Sequence, residues 1–289
     1  MSSPAIATDK KVVLVTGGNS GLGLDTSPNT TVHEAAERVR AQAAPSTIVE
    51  EAALDLASLT AVHDFTVQLK ARVDVSTVST LVCNAGVSCD TKVMTADGFE
   101  STFGVNHLGH FLRVKLLRDV TQRVVVVTSE THDPAEKSPV PPPNVSDLDK
   151  VAFGHEPFIP TEAYTTSKLC NLLMMNEFIR RYPEGPQWLA FTPGYTPDTN
   201  IARHVSIDVA ATIAYCKQHG IQVNTSAAAG AFMADLVLAD DWAAKHWANG
   251  AYFRVDAVAL PPVQARDATL ARALWDKSEE LVARVLPSA

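Results

Sequence analysis

Short apolar runs alternate with longer amphipathic segments along most of the chain. Apolar runs rich in β-branched residues predict buried strands at Lys11–Thr16, Thr47–Leu54, Thr80–Asn84, Arg123–Ser129 and Trp188–Pro193. Segments of helical composition or spacing predict helices at His33–Ala44, Ser58–Arg72, Phe99–Leu117, Tyr164–Tyr182 and Ala268–Val285, the last capped by Asp267. The polar, proline-rich stretch 132–160 interrupts this pattern, so we expect it to be irregular and outside the core.

This alternation of strands and helices predicts the fold class. Strand–helix–strand units are right-handed and build a parallel sheet that helices cover on both faces. The sequence contains neither an internal repeat nor a linker. We therefore expect an α/β protein with a single doubly wound, Rossmann-type parallel sheet. It would form one domain over 11–289, after a disordered N-terminus at 1–10.

Composition and charge exclude several classes of partner. The chain has 289 residues, 46% of them hydrophobic, and its net charge of −8 comes without a basic cluster, which argues against a nucleic-acid partner. The longest apolar runs are far shorter than the ~20 residues of a membrane helix, and 1–10 has no apolar signal core. The four cysteines lack metal-type spacing, and His107 and His110 lack further ligands. We expect a cytoplasmic protein with no membrane or metal site.

A glycine-rich loop follows the first predicted strand. In a strand–loop–helix unit, glycines let the backbone approach a pyrophosphate, and the next helix N-terminus offers free N–H groups. The spacing here is Gly-x-x-x-Gly-x-Gly, which on its own fits a turn without a ligand equally well. The cofactor-binding residues predicted in this loop are Gly17, Asn19, Ser20, Gly21, Leu22 and Gly23.

Tyr164 and Lys168 lie one turn apart on a predicted helix. Reduction of a carbonyl needs a proton donor, and a tyrosine with its ordinary pKa of ~10 is a weak one near neutrality. A lysine at i+4 shares the helix face, and its positive charge stabilises phenolate. The spacing therefore predicts that Lys168 lowers the pKa of Tyr164, although an isolated Tyr-x-x-x-Lys pair is common on solvated helices.

Five motifs follow one another in the order Thr16-Gly17-x-x-x-Gly21-x-Gly23, Asn84-Ala85-Gly86, Asn106, Ser129 and Tyr164-x-x-x-Lys168. In this order they resemble the short-chain dehydrogenase/reductase family. The resemblance implies that Ser129 holds the substrate oxygen, Tyr164 donates the proton, and Lys168 also holds the nicotinamide ribose. It implies that Asn106 holds a water in the proton relay. Thr128 is a weaker alternative to Ser129, because it comes one residue earlier and faces the other way on the strand.

The same resemblance implies further contacts with the cofactor. Asn84, Ala85 and Gly86 would line its adenosine half, and Asp55 would meet the adenine. The Pro193-Gly194 turn would position the nicotinamide carboxamide, followed by the family threonine, for which Thr199 is favoured over its rival Thr196.

Longer motifs narrow the resemblance to a branch with retinol dehydrogenases, protochlorophyllide reductases and microbial ketoreductases; these motifs are 95–100, 106–111, 164–171, 250–253 and 275–282. Tyr195 stands where protochlorophyllide reductases carry a cysteine, and the apolar anchor typical of membrane retinol dehydrogenases is not seen. The branch thus implies a soluble ketoreductase that favours NADP(H), with NAD(H) not excluded. It also allows a homodimer through the helices of Asn106 and Tyr164.

The segment between Gly23 and Asp55 is shorter than the resemblance implies. Pro28 blocks a long first helix, so one helix and one strand are expected to be absent. That strand normally carries the residue that distinguishes the two cofactors. Thr47–Leu54 could itself be that strand, with Glu50 or Glu51 as the acid, although its lead into Asp55 fits the next strand better. The loss would also expose the flank of the first strand as a sheet edge.

Two functions from different classes follow from the sequence. The first is NADP(H)-dependent reduction of a ketone or aldehyde, or oxidation of the matching alcohol. The substrate would be a moderately large, largely apolar small molecule, and the enzyme would have a role in secondary metabolism. The second is a pseudoenzyme or interaction protein that lost cofactor binding through the deletion after Gly23. Retention of Ser129, Tyr164 and Lys168 favours the enzyme.

Overall fold

The computed structural model describes residues 11–18, 32–72, 78–199, 201, 208–239, 242 and 245–287. A six-stranded sheet has the order β1-β2-β3-β4-β5-β6. Its strands are β1 Val12–Val15, β2 Val78–Cys83, β3 Thr121–Val127, β4 Gln187–Thr192, β5 Ala251–Arg254 and β6 Ala257–Ala259. Neighbours are parallel from β1 to β5, and β5 and β6 pair antiparallel. The predicted α/β class with a mainly parallel, Rossmann-type sheet is confirmed. The N-terminus 1–10 lies outside the described residues.

Helices cover both faces of this sheet. They are α1 Val32–Gln42, α2 Leu59–Arg72, α3 Ser101–Phe103, α4 Gly109–Leu117, α5 Leu148–Phe153, α6 Pro160–Arg181, α7 Val209–His219, α8 Ser226–Leu238 and α9 Ala268–Val285. Successive residues of a strand point to opposite faces. Val124 and Val126 of β3 accordingly pack in a core with α2, α4, α6 and α9, whereas Val125 and Val127 pack in a second core with α8.

Most predicted elements lie within a few residues of their expected bounds. The closing helix α9 is confirmed with its cap, since the Asp267 carboxylate accepts hydrogen bonds from the backbone N–H groups of Thr269 and Leu270 at 2.8 and 3.0 Å. The helix predicted at Phe99–Leu117 is divided into α3, a π-helical turn at Gly104–Leu108, and α4. That π-helical turn contains Asn106.

The strand predicted at Thr47–Leu54 is wrong, because this segment forms no strand. Arg40 on α1 donates two hydrogen bonds to the backbone oxygen of Val49, at 3.1 and 2.9 Å, so a side chain satisfies a group that a strand would pair. One of the two acids proposed for this strand, Glu51, contacts His33 Nδ1 at 2.8 Å and Arg40 Nη2 at 3.6 Å. Local contacts with α1 have replaced pairing with the sheet.

The described residues after the glycine loop contain fewer strands than predicted. Between β1 and α2 the described residues contain one helix, α1, and no strand, where the sequence suggested one strand. Within the described part of the chain, β1 pairs with β2 alone, and Val15 is 41% exposed. The expected exposure of the flank of the first strand is confirmed.

The stretch 132–160 is more ordered than its composition suggested. It contains α5, whose N-terminus is capped by the Asp147 carboxylate through Asp149 N at 3.0 Å and Lys150 N at 3.3 Å. Val151 and Ala152 are buried in the core, so the expectation that this stretch lies outside the core is wrong for α5. Across the described ranges, no helix combines the length and apolar character needed to cross a membrane.

Arg113 on α4 is a buried cation that weakens the fold. Its side chain is 2% exposed, its Nε and Nη1 atoms have no hydrogen-bond partner, and burial lowers its pKa to about 10. An unpaired buried charge costs more than an apolar side chain of similar volume. We expect Arg113→Met to raise the free energy of unfolding by ~1–3 kcal/mol, measured by urea denaturation.

Lys115→Met is the matched control for Arg113→Met, because Lys115 lies on the same helix and pairs with Glu279 at 2.6 Å near the surface. Loss of that pair is expected to change stability by less than ~1 kcal/mol. A loss of stability in Arg113→Met beyond that of Lys115→Met would contradict the expectation.

Candidate active site

The start of the glycine loop is fixed against the residues that follow β2. The Thr16 hydroxyl accepts hydrogen bonds from the backbone N–H groups of Asn84 and Ala85, at 3.0 and 3.1 Å. In return Asn84 Nδ2 donates to the Thr16 backbone oxygen at 2.8 Å. The carboxyl ends of β1 and β2 thus form one rigid unit at the edge where α/β sheets bind ligands.

Two glycines leave backbone open at this edge. Gly17 has φ +67°, and a Cβ there would lie 2.9 Å from the Cα of Ala85. A Cβ on Gly86 would lie 3.3 Å from Lys168 Nζ and 3.4 Å from Asn106 Oδ1. Gly86 therefore presents bare backbone beside two of the predicted catalytic residues. The predicted cofactor residues Asn19, Ser20, Gly21, Leu22 and Gly23 lie outside the described residues.

Asp55 lies in the loop before α2 and not at the end of a strand. Its carboxylate accepts a hydrogen bond from the backbone N–H of Ala57 at 2.9 Å, which stabilises a local turn. Ala57 leads into α2. The first residue of that helix, Leu59, donates its backbone N–H to the Asp97 carboxylate at 2.7 Å. The structure thus gives Asp55 a turn-forming contact.

Asn106 is held by three hydrogen bonds on the π-helical turn. Its Oδ1 accepts from the backbone N–H of Val87 at 2.8 Å, and its Nδ2 donates to Val87 O at 2.9 Å and to Ser167 Oγ at 3.0 Å. Asn106 therefore joins the segment after β2 to α6, the helix that carries Tyr164 and Lys168.

Lys168 and Thr128 tie α6 to the end of β3. The buried Lys168 ammonium donates to the Val127 backbone oxygen at 3.2 Å. The Thr128 hydroxyl donates to the Lys168 backbone oxygen at 2.8 Å, so it is engaged in packing the helix on the sheet. Ser129, in contrast, lies close enough to Tyr164 for its hydroxyl to lower the pKa of the tyrosine, and that hydroxyl also contacts Thr131 Oγ1 at 2.9 Å. The geometry favours Ser129 over Thr128 as the partner of the tyrosine.

The expectation that the pKa of Tyr164 lies below its ordinary value is wrong for this structure. Burial raises the pKa of Tyr164 to about 12, and the hydrogen bond from Ser129 lowers it only in part. Burial also lowers the pKa of Lys168 to about 8. The lysine Nζ lies 5.5 Å from the centre of the tyrosine ring. Helical spacing brings the two side chains together, but desolvation has the larger effect on both.

The Pro193-Gly194 turn is pinned by a neighbouring loop. Gly194 has φ +76°, and a Cβ there would lie 2.7 Å from the Gln222 backbone oxygen. Asn224 Nδ2 donates to Pro193 O at 3.2 Å. Of the two candidate threonines, Thr196 contacts this turn, because its Oγ1 donates to Gly194 O at 3.1 Å. The favoured Thr199 contacts Thr196 instead, with its Oγ1 donating to Thr196 O at 2.9 Å.

Three residues beside Ser129 escaped prediction as site residues. His132 is fully buried, and its Nδ1 contacts the Ser129 backbone oxygen. Burial lowers its pKa to about 4, so the ring is neutral near pH 7. Glu130 is buried with its pKa raised to about 7, and its Oε2 lies 3.9 Å from Arg254. For Glu130 and His132, the only sequence signal was that they follow Ser129 within a few residues. Arg254 comes from the distant strand β5.

Comparison with known proteins places the chain in a family. A family model described as short chain dehydrogenase matches residues 11–133. A WW domain-containing oxidoreductase of Danio rerio is 35% identical over 297 residues, which cover 94% of this chain and 68% of that protein. Protochlorophyllide reductase B of Hordeum vulgare is 33% identical, over 70% of this chain and 62% of that one.

A solved structure extends the similarity to three dimensions. The crystal structure of a putative uncharacterized protein from Mycobacterium Paratuberculosis superimposes with a TM-score of 0.63 and 28% identity. The superposition covers 94% of this chain and 93% of that one, so the shared fold includes nearly all of the sheet and helices. By sequence and fold together, the chain belongs to the short chain dehydrogenase family and is an oxidoreductase.

Proposed function

We propose that the protein reduces a ketone or aldehyde with NADP(H), or oxidises the matching alcohol. The observation that carries the proposal is the cluster at the carboxyl end of β3. There the Ser129 hydroxyl lies close enough to Tyr164 to lower the pKa of the tyrosine, and the Lys168 ammonium lies beside the bare backbone of Gly86. Proton donor, oxygen-binding hydroxyl and fixed positive charge are the groups that carbonyl reduction needs from a protein.

Each of these side chains has a distinct role in the proposal. Ser129 Oγ holds the carbonyl oxygen of the substrate, and the Tyr164 hydroxyl donates its proton to that oxygen as negative charge develops. The Lys168 ammonium stabilises the phenolate that remains and holds the ribose of the cofactor. A bound nicotinamide supplies the hydride, which no protein side chain can provide.

The described residues fit such a cofactor. Gly17 and Gly86 expose backbone where a side chain would block a close approach, and the Pro193-Gly194 turn is fixed by Gln222 and Asn224. For the choice of cofactor, the branch that the motifs resemble supports NADP(H). In the ranges that the structure describes, no strand after β1 carries an acid for the ribose 2′-hydroxyl of NAD(H).

The proposed substrate is a moderately large, largely apolar carbonyl compound or secondary alcohol. The stretch 132–160 and the helix α7 approach each other beyond the sheet. They are joined where the Tyr215 hydroxyl of α7 donates to the Lys137 backbone oxygen at 2.8 Å. Tyr195, next to the Pro193-Gly194 turn, is hydrogen-bonded to Thr212 of the same helix. These contacts support a substrate pocket walled by 132–160 and α7.

A second candidate is a pseudoenzyme or interaction protein with the same fold. The open flank of β1 favours it, because the strand that would cover this flank also shapes the adenosine side of the family's cofactor site. The intact cluster of Ser129, Tyr164 and Lys168 favours the enzyme.

Calorimetric titration of the purified protein with NADPH and with NADH separates these candidates. Binding of NADPH in preference to NADH, followed by oxidation of NADPH in a screen of apolar ketones, is the expected result. Equal or tighter binding of NADH would contradict the choice of cofactor. Absence of binding by protein with a native circular dichroism spectrum would support the pseudoenzyme.

The lowered pKa of Lys168 predicts how stability and activity depend on pH. The folded protein releases this proton near pH 8, whereas the unfolded chain keeps it up to the ordinary value of 10.5. The unfolded state therefore binds more protons in this interval, and the contribution of Lys168 makes the free energy of unfolding rise from pH 8 to 10.5. Activity should fall over the same interval, because the neutral amine no longer stabilises phenolate.

Urea denaturation and initial rates between pH 7 and 10 check this prediction. Lys168→Met is the control for stability, because it cannot titrate and should lose the Lys168-dependent rise. An identical pH dependence of stability in the variant and the natural protein would show that another group is responsible.

A further inference from the structure

The carboxyl end of β1 relies on side-chain contacts, since the described residues pair this strand on one flank only. Thr16 carries most of these contacts. Its hydroxyl oxygen accepts from the N–H groups of Asn84 and Ala85, and its own backbone N–H donates to Val82 O at 3.1 Å. The hydroxyl hydrogen of Thr16 has two acceptors within reach, the Val82 backbone oxygen at 3.2 Å and His110 Nε2 at 2.9 Å.

His110 on α4 offers the shorter of these two contacts. Its Nε2 lies 2.9 Å from Thr16 Oγ1, and its Nδ1 lies 3.1 Å from the Asn106 backbone oxygen. The ring is 1% exposed, and burial lowers its pKa to about 3, so it is neutral. A carbonyl oxygen can only accept, which places the ring hydrogen on Nδ1 and leaves Nε2 to accept from Thr16.

The hydrogen bonds continue from Asn106 to the catalytic helix. Asn106 Nδ2 donates to Ser167 Oγ at 3.0 Å, and the Ser167 hydroxyl donates to the Tyr164 backbone oxygen at 2.7 Å. His110 is therefore the link between the first residues of the glycine loop and the helix that carries Tyr164.

We propose that His110 is a positioning residue that keeps Thr16, and with it Gly17, Asn84 and Ala85, in the geometry required for cofactor binding. It supplies lateral support at the end of β1, which has a neighbouring strand on one flank only among the described residues. His110 touches neither substrate nor cofactor in this role. Measurements of NADPH binding test this role only if the proposed function holds, whereas amide hydrogen exchange tests it independently.

His107 is the matched control for His110. It lies three residues earlier on the same helical segment, is equally buried, and has its pKa lowered to about 3 as well, but its Nε2 contacts Ser278 of α9 at 2.9 Å. His110→Leu and His107→Leu each remove a buried hydrogen-bonding ring, so both are expected to lower thermal stability. Only His110→Leu is expected to weaken NADPH binding, by about tenfold, the size of one lost buried hydrogen bond.

Two conservative variants test the contacts of the two ring nitrogens of His110 separately. His110→Gln places an acceptor near the position of Nε2 and is expected to restore most of the affinity for NADPH. His110→Asn mimics only Nδ1 and is expected to behave like His110→Leu. Combining Thr16→Val with His110→Leu should weaken binding less than the sum of the two single effects, because both remove the same contact.

Amide hydrogen exchange of the ligand-free protein gives the readout that does not depend on the proposed function. His110→Leu is expected to accelerate exchange at Asn84 and Ala85, and His107→Leu is expected to leave it unchanged. Equal exchange in the natural protein and His110→Leu, or equal acceleration by His107→Leu, would overturn the role of His110. If the natural protein binds no NADPH, the proposed function fails, but the comparison of hydrogen exchange still tests the role of His110.

Discussion

Tyr164→Phe is expected to lower kcat for carbonyl reduction by about a thousandfold and to leave the dissociation constant for NADPH nearly unchanged. The substitution removes a single oxygen atom, the hydroxyl oxygen whose pKa the nearby Ser129 lowers. General acid catalysis by a positioned side chain contributes about 10²–10⁴-fold, and phenylalanine retains the ring and its packing. The loss should therefore appear in turnover and not in cofactor affinity.

Single-turnover rates and calorimetric titration of the same preparations check this result. Tyr182→Phe is the control, because Tyr182 follows the far end of α6 and packs against Phe178 and Trp275. It should reduce neither kcat nor NADPH affinity. Turnover of Tyr164→Phe equal to that of the natural protein would remove Tyr164 from the mechanism. Loss of NADPH binding would instead give its hydroxyl a structural role.

The sequence pattern was sufficient to predict elements that are stabilised by local contacts or that are completely buried. The helix α9 has an amphipathic pattern and a capping aspartate, and the four valines of β3 face both cores. Thr47–Leu54 has a similar apolar content but no place in the sheet, because Arg40 of α1 engages its Val49 and Glu51. Propensity cannot show which partner a short apolar segment will meet.

The edge hairpin β5–β6 shows a second limit of the sequence. Its two strands have four and three residues, and they are joined through Val255, which has φ +52°. A β-branched residue in this region is uncommon, and nothing in the sequence announces a turn there. The turn is held by tertiary contacts, among them the hydrogen bond from Val255 N to Thr192 O at 2.8 Å.

For the candidate site, motif order predicted which residues take part but not their electrostatics. The spacing of Tyr164 and Lys168 correctly places them close together, yet their pKa values follow burial, which depends on the whole fold. The same holds for Glu130, whose raised pKa comes from burial beside Arg254 of β5. Charge and hydrogen-bond partners from distant elements are not encoded in short motifs.

Gly17→Ala is expected to weaken NADPH binding by about a hundredfold while the protein remains folded. At φ +67° an alanine costs about 1–2 kcal/mol of backbone strain, and its Cβ would lie 2.9 Å from the Cα of Ala85. Backbone cannot yield as a flexible side chain does, so Ala85 and Asn84 must shift. A displacement of about 1 Å at a binding site can cost about 10²-fold in function.

Gly98→Ala separates the two causes of that loss. Gly98 has φ +83°, but a Cβ there meets nothing within 4 Å. The two variants should therefore suffer a similar backbone strain, seen as a similar fall in thermal stability, and only Gly17→Ala should lose affinity for NADPH. Equal affinity in both would mean that the approach of Gly17 to Ala85 is not part of the cofactor site. Loss in both would mean that strain alone, transmitted through the fold, impairs binding.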